Sequence, residues 1–155
     1  MFVMSNFFGC YSFTGGSIPD YIKTLYISTV TDNSGYGNPK YREEFMRTLV
    51  ETFRKDNSLN LVEKGGDAKL YVVISAIRDE ISKIKPGELE TQRKITVVCD
   101  AEYYDAVKKK AFWKKSFSNF NIYDLTNVQV NRDQAVSDAL KRTADDILIA
   151  VVSGW

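Results

Sequence analysis

Cys10 is the residue of this chain best placed to do chemistry. It follows Phe8-Gly9 and precedes Tyr11-Ser12-Phe13-Thr14-Gly15-Gly16-Ser17-Ile18-Pro19. A small residue and then a cysteine, after a short apolar run, is the pattern at which a bacterial leader is cut and the new terminal thiol takes a diacylglycerol anchor. The chemistry would be attachment to a membrane, with the thiol committed to lipid instead of substrate. Met1 to Gly9 holds no Lys or Arg and is interrupted by Ser5 and Asn6, so the basic part of a secretory signal is missing. These residues leave two readings open: a shortened leader ahead of a lipid-anchor cysteine, or an ordinary cysteine near an N-terminus.

Other reactive arrangements fail on composition. The chain has 155 residues and no histidine, which removes the commonest general base and metal ligand. It has no Cys-x-x-Cys and no Gly-x-Ser-x-Gly, and Gly65-Gly66 lacks the further glycines and Lys-Ser/Thr of a phosphate loop. Asp79-Glu80 and Asp145-Asp146 are sequence neighbours that point in different directions, so both pairs read as surface charge. The expectation is a non-enzyme with no catalytic residues, metal or cofactor. Cys99 shares strand parity with Ile95, Val97 and Ala101 and reads as a buried small hydrophobe.

One local charge excess remains. Lys108, Lys109, Lys110, Lys114 and Lys115 surround Phe112 and Trp113, opposed nearby by Asp105. Lysine is a point-charge phosphate binder, and a flanking aromatic could lie on an acyl chain or sugar, so the run suits a phosphorylated ligand. The competing reading is a solvated hairpin tip whose lysines guard a sheet edge. Across the chain, 21 Lys+Arg against 20 Asp+Glu leave no global field that would favour nucleic acid. No run of 18 apolar residues is present, so any membrane link is covalent or peripheral.

The elements that must position these residues follow from periodicity. Ile22 to Val30 reads as a strand with Leu25 and Ile27 on one face, and Asp32 to Gly37 as a loop. Asn38-Pro39 starts a helix whose stripe is Tyr41, Phe45, Leu49 and Phe53. Leu59 to Glu63 is a short strand, followed by a turn at Lys64-Gly65-Gly66-Asp67. Ala68 to Ile84 is greasy on both faces and reads as central, with a turn at Lys85-Pro86-Gly87-Glu88. Thr91 to Asp105 and Ala111 to Phe120 complete an antiparallel meander anchored by Trp113, Phe117 and Phe120. A second helix starts at a capping box, Asn131-Arg132-Asp133-Gln134, and buries Val136, Leu140, Ala144, Ile147, Leu148 and Val151. The fold class is α+β, two amphipathic helices packed on one face of a mixed four- to five-stranded β-sheet. Residues 1–9 read as a signal remnant, 10–20 as anchor cysteine and tether, and 21–155 as one α+β domain.

The run Gly9 to Pro19, followed by Ile22-Lys23-Thr24-Leu25-Tyr26-Ile27, resembles the mature start of the LptE-like lipopolysaccharide-assembly lipoproteins. The likeness continues through Asn38-Pro39, Leu59-Asn60-Leu61-Val62 ahead of Gly65-Gly66-Asp67-Ala68, Lys94 to Val98, Trp113 to Ser118 and the helix ending near Trp155. The resemblance implies an outer-membrane lipoprotein on the periplasmic face, anchored at Cys10. It also implies a non-catalytic partner and plug of a β-barrel lipopolysaccharide translocon protein (LptD-like). Lipopolysaccharide binding is assigned to Lys108, Lys109, Lys110, Lys114 and Lys115 from their charge. The alternative function is a periplasmic adaptor lipoprotein, docking through its sheet edge, with no role in lipopolysaccharide export.

Overall fold

Strict alternation along three long segments dictates the centre of the structure, because a strand turns successive side chains to opposite faces. In the computed structural model, which describes residues 18–82, 86–87 and 89–153, the elements run β1 (Thr24–Ile27), β2 (Thr31–Asp32), α1 (Pro39–Asp56), β3 (Asn60–Leu61), β4 (Ala68–Ile81), β5 (Gln92–Asp105), β6 (Lys110–Asp124), a 3-10 turn (Leu125–Asn127) and α2 (Val128–Val152). Cys10, residues 1–17 and Trp155 lie outside the described residues, as do residues 83–85 and 88 of the expected turn.

The sheet is mixed, ordered β3-β1-β4-β5-β6, with β2 also pairing with β4. β1 is parallel to β3 and β4, whereas β4, β5 and β6 form the expected antiparallel meander. The strand count among the described residues is six, because Thr31–Asp32 adds a short pairing to β4 opposite Val73 and Ile74. Inward rows from β4 (Leu70, Val72, Ile74, Ile77), β5 (Ile95, Val97, Cys99, Ala101, Tyr103) and β6 (Trp113, Tyr123) form one core with the helices. β4 is central, as expected, yet only one of its faces is buried. Its other face leaves Tyr71 exposed and Val73 half-buried.

Two bulges set which residues face inward. Ser75 is the extra residue between Ile74 and Ala76, and its Oγ donates to Val98 O at 3.1 Å. The insertion shifts the inward row from Ile74 to Ile77 and then to Asp79. A second irregularity, where Tyr103 and Tyr104 face Trp113 and Ala111, makes Phe112 the extra residue on β6. Phe120 falls on the outward row and is 55% exposed, so it is not the anchor the sequence suggested; Tyr123 is buried in its place.

α1 begins as expected. Asn38 Oδ1 accepts from Lys40 N at 3.2 Å, and Pro39 occupies the first turn. Asn57, left-handed at φ 61°, ends the helix by donating its N–H to Phe53 O. The stripe Tyr41, Phe45, Leu49 and Phe53 is buried, each side chain contributing about 1.5–3 kcal/mol of apolar burial. α2 corrects one expectation: it starts at Val128, so Asn131 lies within the first turn and its amide donates to Asp124 O. The preceding 3-10 turn already carries the chain into helix, which leaves the capping box without a terminus to cap. The buried face of α2 includes the expected residues except half-buried Leu148, together with Ala135, Ala139 and Thr143. The Thr143 hydroxyl donates to Ala139 O at 2.9 Å, so its burial leaves no unpaired polar group. No helix among the described residues is long and apolar enough to cross a membrane.

At the turn before β4, Gly66 has φ +82°, and a Cβ there would stand 3.0 Å from both Ala68 O and Tyr26 N. Gly65 has φ +79° with open space around it. Gly65→Ala therefore meets backbone strain alone, whereas Gly66→Ala also drives the β4 and β1 backbones apart. Urea unfolding should show about 1 kcal/mol lost in the first and about 2–4 kcal/mol in the second. Equal losses would show that steric crowding at Gly66 is absent.

Candidate functional site: a basic hairpin tip

The β5–β6 hairpin is shaped by a carboxylate. Asp105 ends β5 fully buried, and its Oδ1 accepts from Val107 N at 2.9 Å and Lys108 N at 2.8 Å. This satisfies two turn donors at once, the usual role of Asp in a tight turn. Its Oδ2 accepts from the Tyr21 hydroxyl at 2.6 Å, so the segment leading into β1 is clasped to the hairpin. Burial by itself would raise the Asp105 pKa; the Tyr21 hydroxyl and the two backbone donors outweigh it and hold the carboxyl below its usual value. The same bond, with burial adding to it, raises the Tyr21 phenol to about 12. Lys109 closes the turn at φ 56°.

A second carboxylate holds the base of this end together. Asp67 Oδ2 accepts from Lys23 N, Thr24 N and Thr24 Oγ1 at 2.9–3.0 Å, and Asp67 N donates back to Thr24 Oγ1. These donors, the Lys23 N–H first, lower the Asp67 pKa. Ala106 N donates to Asp67 O at 2.9 Å. The start of β1, the start of β4 and the hairpin tip therefore share one set of bonds. Tyr21, three residues after the first described one, stands here.

The five lysines are not one cluster. Lys108, Lys109 and Lys110 occupy the tip and are exposed, Lys108 with its Nζ 4.5 Å from the Tyr21 ring centre. Lys114 lies farther along β6 and pairs with Glu102 at 3.1 Å. Lys115 projects to the opposite face from Lys114, its Nζ 5.4 Å from the Trp113 ring. Trp113 is 7% exposed and donates its indole N–H to Ala150 O, so it serves the core instead of offering a face to ligand. Phe112 stacks on Tyr103 with ring centres 4.7 Å apart.

The opposite end of the sheet carries a polar network that the sequence had assigned to surface charge. Asp79 faces inward because of the Ser75 bulge. Its Oδ1 accepts from Arg93 Nε and its Oδ2 from the Tyr123 hydroxyl, both at 2.7 Å, with Arg132 4.0 Å away. Tyr41 donates to Asp133 at 2.6 Å, joining α1 to α2. Burial, with the Asp79 bond second, raises the Tyr123 phenol to about 12. Asp145 remains exposed, and Asp146 accepts from Asn119 at 2.8 Å. The Cys99 thiol is free and buried, and burial lifts it to about 12, which leaves almost no thiolate at neutral pH. Among the described residues no group of His, Cys, Asp and Glu could hold a metal ion.

Two helices laid over one face of a mixed sheet is a fold that this chain shares with solved bacterial lipoproteins. The fold is similar to a crystal structure of a Xanthomonas campestris protein (11% identity, 86% of this chain and 87% of that chain, TM-score 0.59). It is also similar to lipoprotein B of Nitrosomonas europaea (14%, 84% and 83%, 0.58) and to the rare lipoprotein B of Shewanella oneidensis (15%, 81% and 91%, 0.54). At such identities the likeness is one of fold. The chain belongs to the lipopolysaccharide-assembly family LptE, whose model matches residues 22–151. A search of curated proteins finds no match.

Because Asp105 has a lower pKa in the folded chain than in the unfolded one, its contribution is present above about pH 4 and lost as pH falls through the folded value. The urea midpoints of the natural chain and of Asp105→Asn should be well separated at about pH 6 and converge toward about pH 2. A separation that stays constant over this range would remove the ionised Asp105 from the account.

Proposed function

We propose that this protein is a non-catalytic outer-membrane lipoprotein that works with a β-barrel partner in lipopolysaccharide transport. The family match over residues 22–151 carries this reading, since it spans the entire folded body. In this role residues 1–9 belong to a leader, Cys10 bears the lipid, residues 10–20 form a tether, and residues 21–155 form one body that occupies the barrel lumen. A tether supports such a role by keeping the body at high local concentration beside its partner. Stable anchoring by acyl chains needs more than one of them, which a diacylglyceryl cysteine supplies.

Three features of the body suit a plug. Helices and sheet share one continuous core, which gives a stiff unit. The uncovered sheet face and the outer edge of the 15-residue β6 offer surface to a surrounding wall. An anionic lipid head group would meet this body at Lys108, Lys109 and Lys110, which stand together at the tip, whereas Lys114 and Lys115 lie farther along β6 on opposite faces. Ammonium groups at a tip bind phosphate, a chemistry common to every anionic lipid head group.

Mass spectrometry of the native N-terminus should find an acylated Cys10, and Cys10→Ser should shift most of the protein out of the membrane fraction. Affinity purification of the natural chain from detergent-solubilised membranes should bring down one large β-barrel protein. An unmodified cysteine in a soluble fraction would remove the anchor, and purification without a barrel would favour an adaptor role.

A further inference from the structure

The geometry points to the Lys108–Lys110 pole as a membrane-docking surface: we propose that it rests on the anionic phospholipid leaflet in which the Cys10 anchor is embedded. The inference deepens the lipoprotein reading and rests on it for the anchor. Three observations meet at this pole.

The first is placement. Tyr21 is bonded to Asp105 at the root of the tip, so the chain arrives from its N-terminal segment beside Lys108. The eight residues from Cys10 to Ser17 can extend to no more than about 28 Å. An acylated Cys10 therefore keeps the start of the described chain, and with it this pole, within about 28 Å of the bilayer surface.

The second is charge. Lys108, Lys109 and Lys110 are exposed at the tip, and exposed Lys23 is joined to its base through Asp67. Asn60 N donates to Lys23 O, which brings the end of α1 to the same region, but Arg54 there stands beside Glu63 and Lys55 beside Glu51 and Asp145, so these two add no net charge. The acids here are Asp20, Asp56, Asp67 and Asp105; the last two turn inward onto hydrogen-bond donors, while Asp20 and Asp56 are exposed. The outward-facing groups are thus basic in excess.

The third is apolar exposure at the apex. Val107 is 56% exposed, and Tyr21 beside it is 37% exposed under Lys108. An apolar residue leading a ring of lysines, with a tyrosine at the level of the charges, suits a surface whose phosphates cover hydrocarbon. A soluble phosphate would make no use of Val107. Lipopolysaccharide shares the phosphate chemistry, and the tether geometry favours the leaflet that holds the anchor.

The full chain carrying Cys10→Ser, which cannot be acylated, should be mixed with vesicles of phosphatidylethanolamine alone, with one-quarter phosphatidylglycerol, or with lipopolysaccharide added. Sedimentation with the phosphatidylglycerol vesicles, weakened by salt, is expected. A lysine near an anionic surface is worth about fivefold, so Lys108→Gln, Lys109→Gln and Lys110→Gln together should weaken that partitioning on the order of 100-fold. Val107→Ser, which leaves charge unchanged, should weaken it several-fold. No preference for phosphatidylglycerol, or unchanged partitioning of the triple variant, would overturn the inference. So would a loss confined to the lipopolysaccharide vesicles, which would make the tip a lipopolysaccharide site. The N-terminal mass of the native protein separates the two claims: an unmodified Cys10 defeats the anchor whatever the vesicles show.

Discussion

A carboxylate removed from water must find a donor for each exposed lone pair or lose its charge. Asp105 is fully buried and meets this demand with the Tyr21 hydroxyl and the N–H groups of Val107 and Lys108. These donors serve two requirements of the structure. The backbone donors fold the hairpin tip, and the phenol fixes the segment that precedes β1. Asp67 repeats the device at the start of β4 through Lys23 and Thr24. The parallel strand β1 is only four residues long, too short to rely on its ladder alone, and these two acids hold its entry in place.

Helix α1 and the inward row of β5 were legible in the sequence because their determinants are local. Asn38-Pro39 satisfies an orphan amide and presets a dihedral, and the Tyr41-Phe45-Leu49-Phe53 spacing matches the helical turn. The start of α2 was misread because Asn131 can cap only if the chain is not yet helical, and the preceding 3-10 turn depends on how β6 ends. Phe120 was assigned inward from its size, while strand parity counted from Trp113 or Tyr123 turns it outward. Asp79 was hidden for a related reason. The Ser75 bulge moves it onto the inward row, and a bulge leaves little trace in residue types.

The lysine run shows a different limit. Five cations close in sequence look like one patch, but a strand sends Lys114 and Lys115 to opposite faces and each finds a partner. Lys108 and Lys109 stay together because a turn has no alternation to divide them, and Lys110 opens β6 beside them. The role of Tyr21 was out of reach altogether, since its acceptor is 84 positions away. The resemblance in the sequence leaned on the run Gly9 to Pro19, whereas the family match rests on the body, residues 22–151, and solved structures at 11–15% identity keep the same arrangement of helices and sheet.

The way α2 lies on the sheet has a mechanical consequence. Its buried face mixes small residues (Ala135, Ala139, Ala144) with larger ones (Val136, Leu140, Ile147, Val151), whose packing already resists creep along the strands beneath it. Creep is blocked by bonds that work like the teeth of a rack: Asp133 to Tyr41, Asp138 to Asn121, Thr143 and Asp146 to Asn119, and Arg142 to Phe120 O. A slip of one turn would disengage all of them together. Displacing the helix along the sheet therefore costs its packing and these bonds at once.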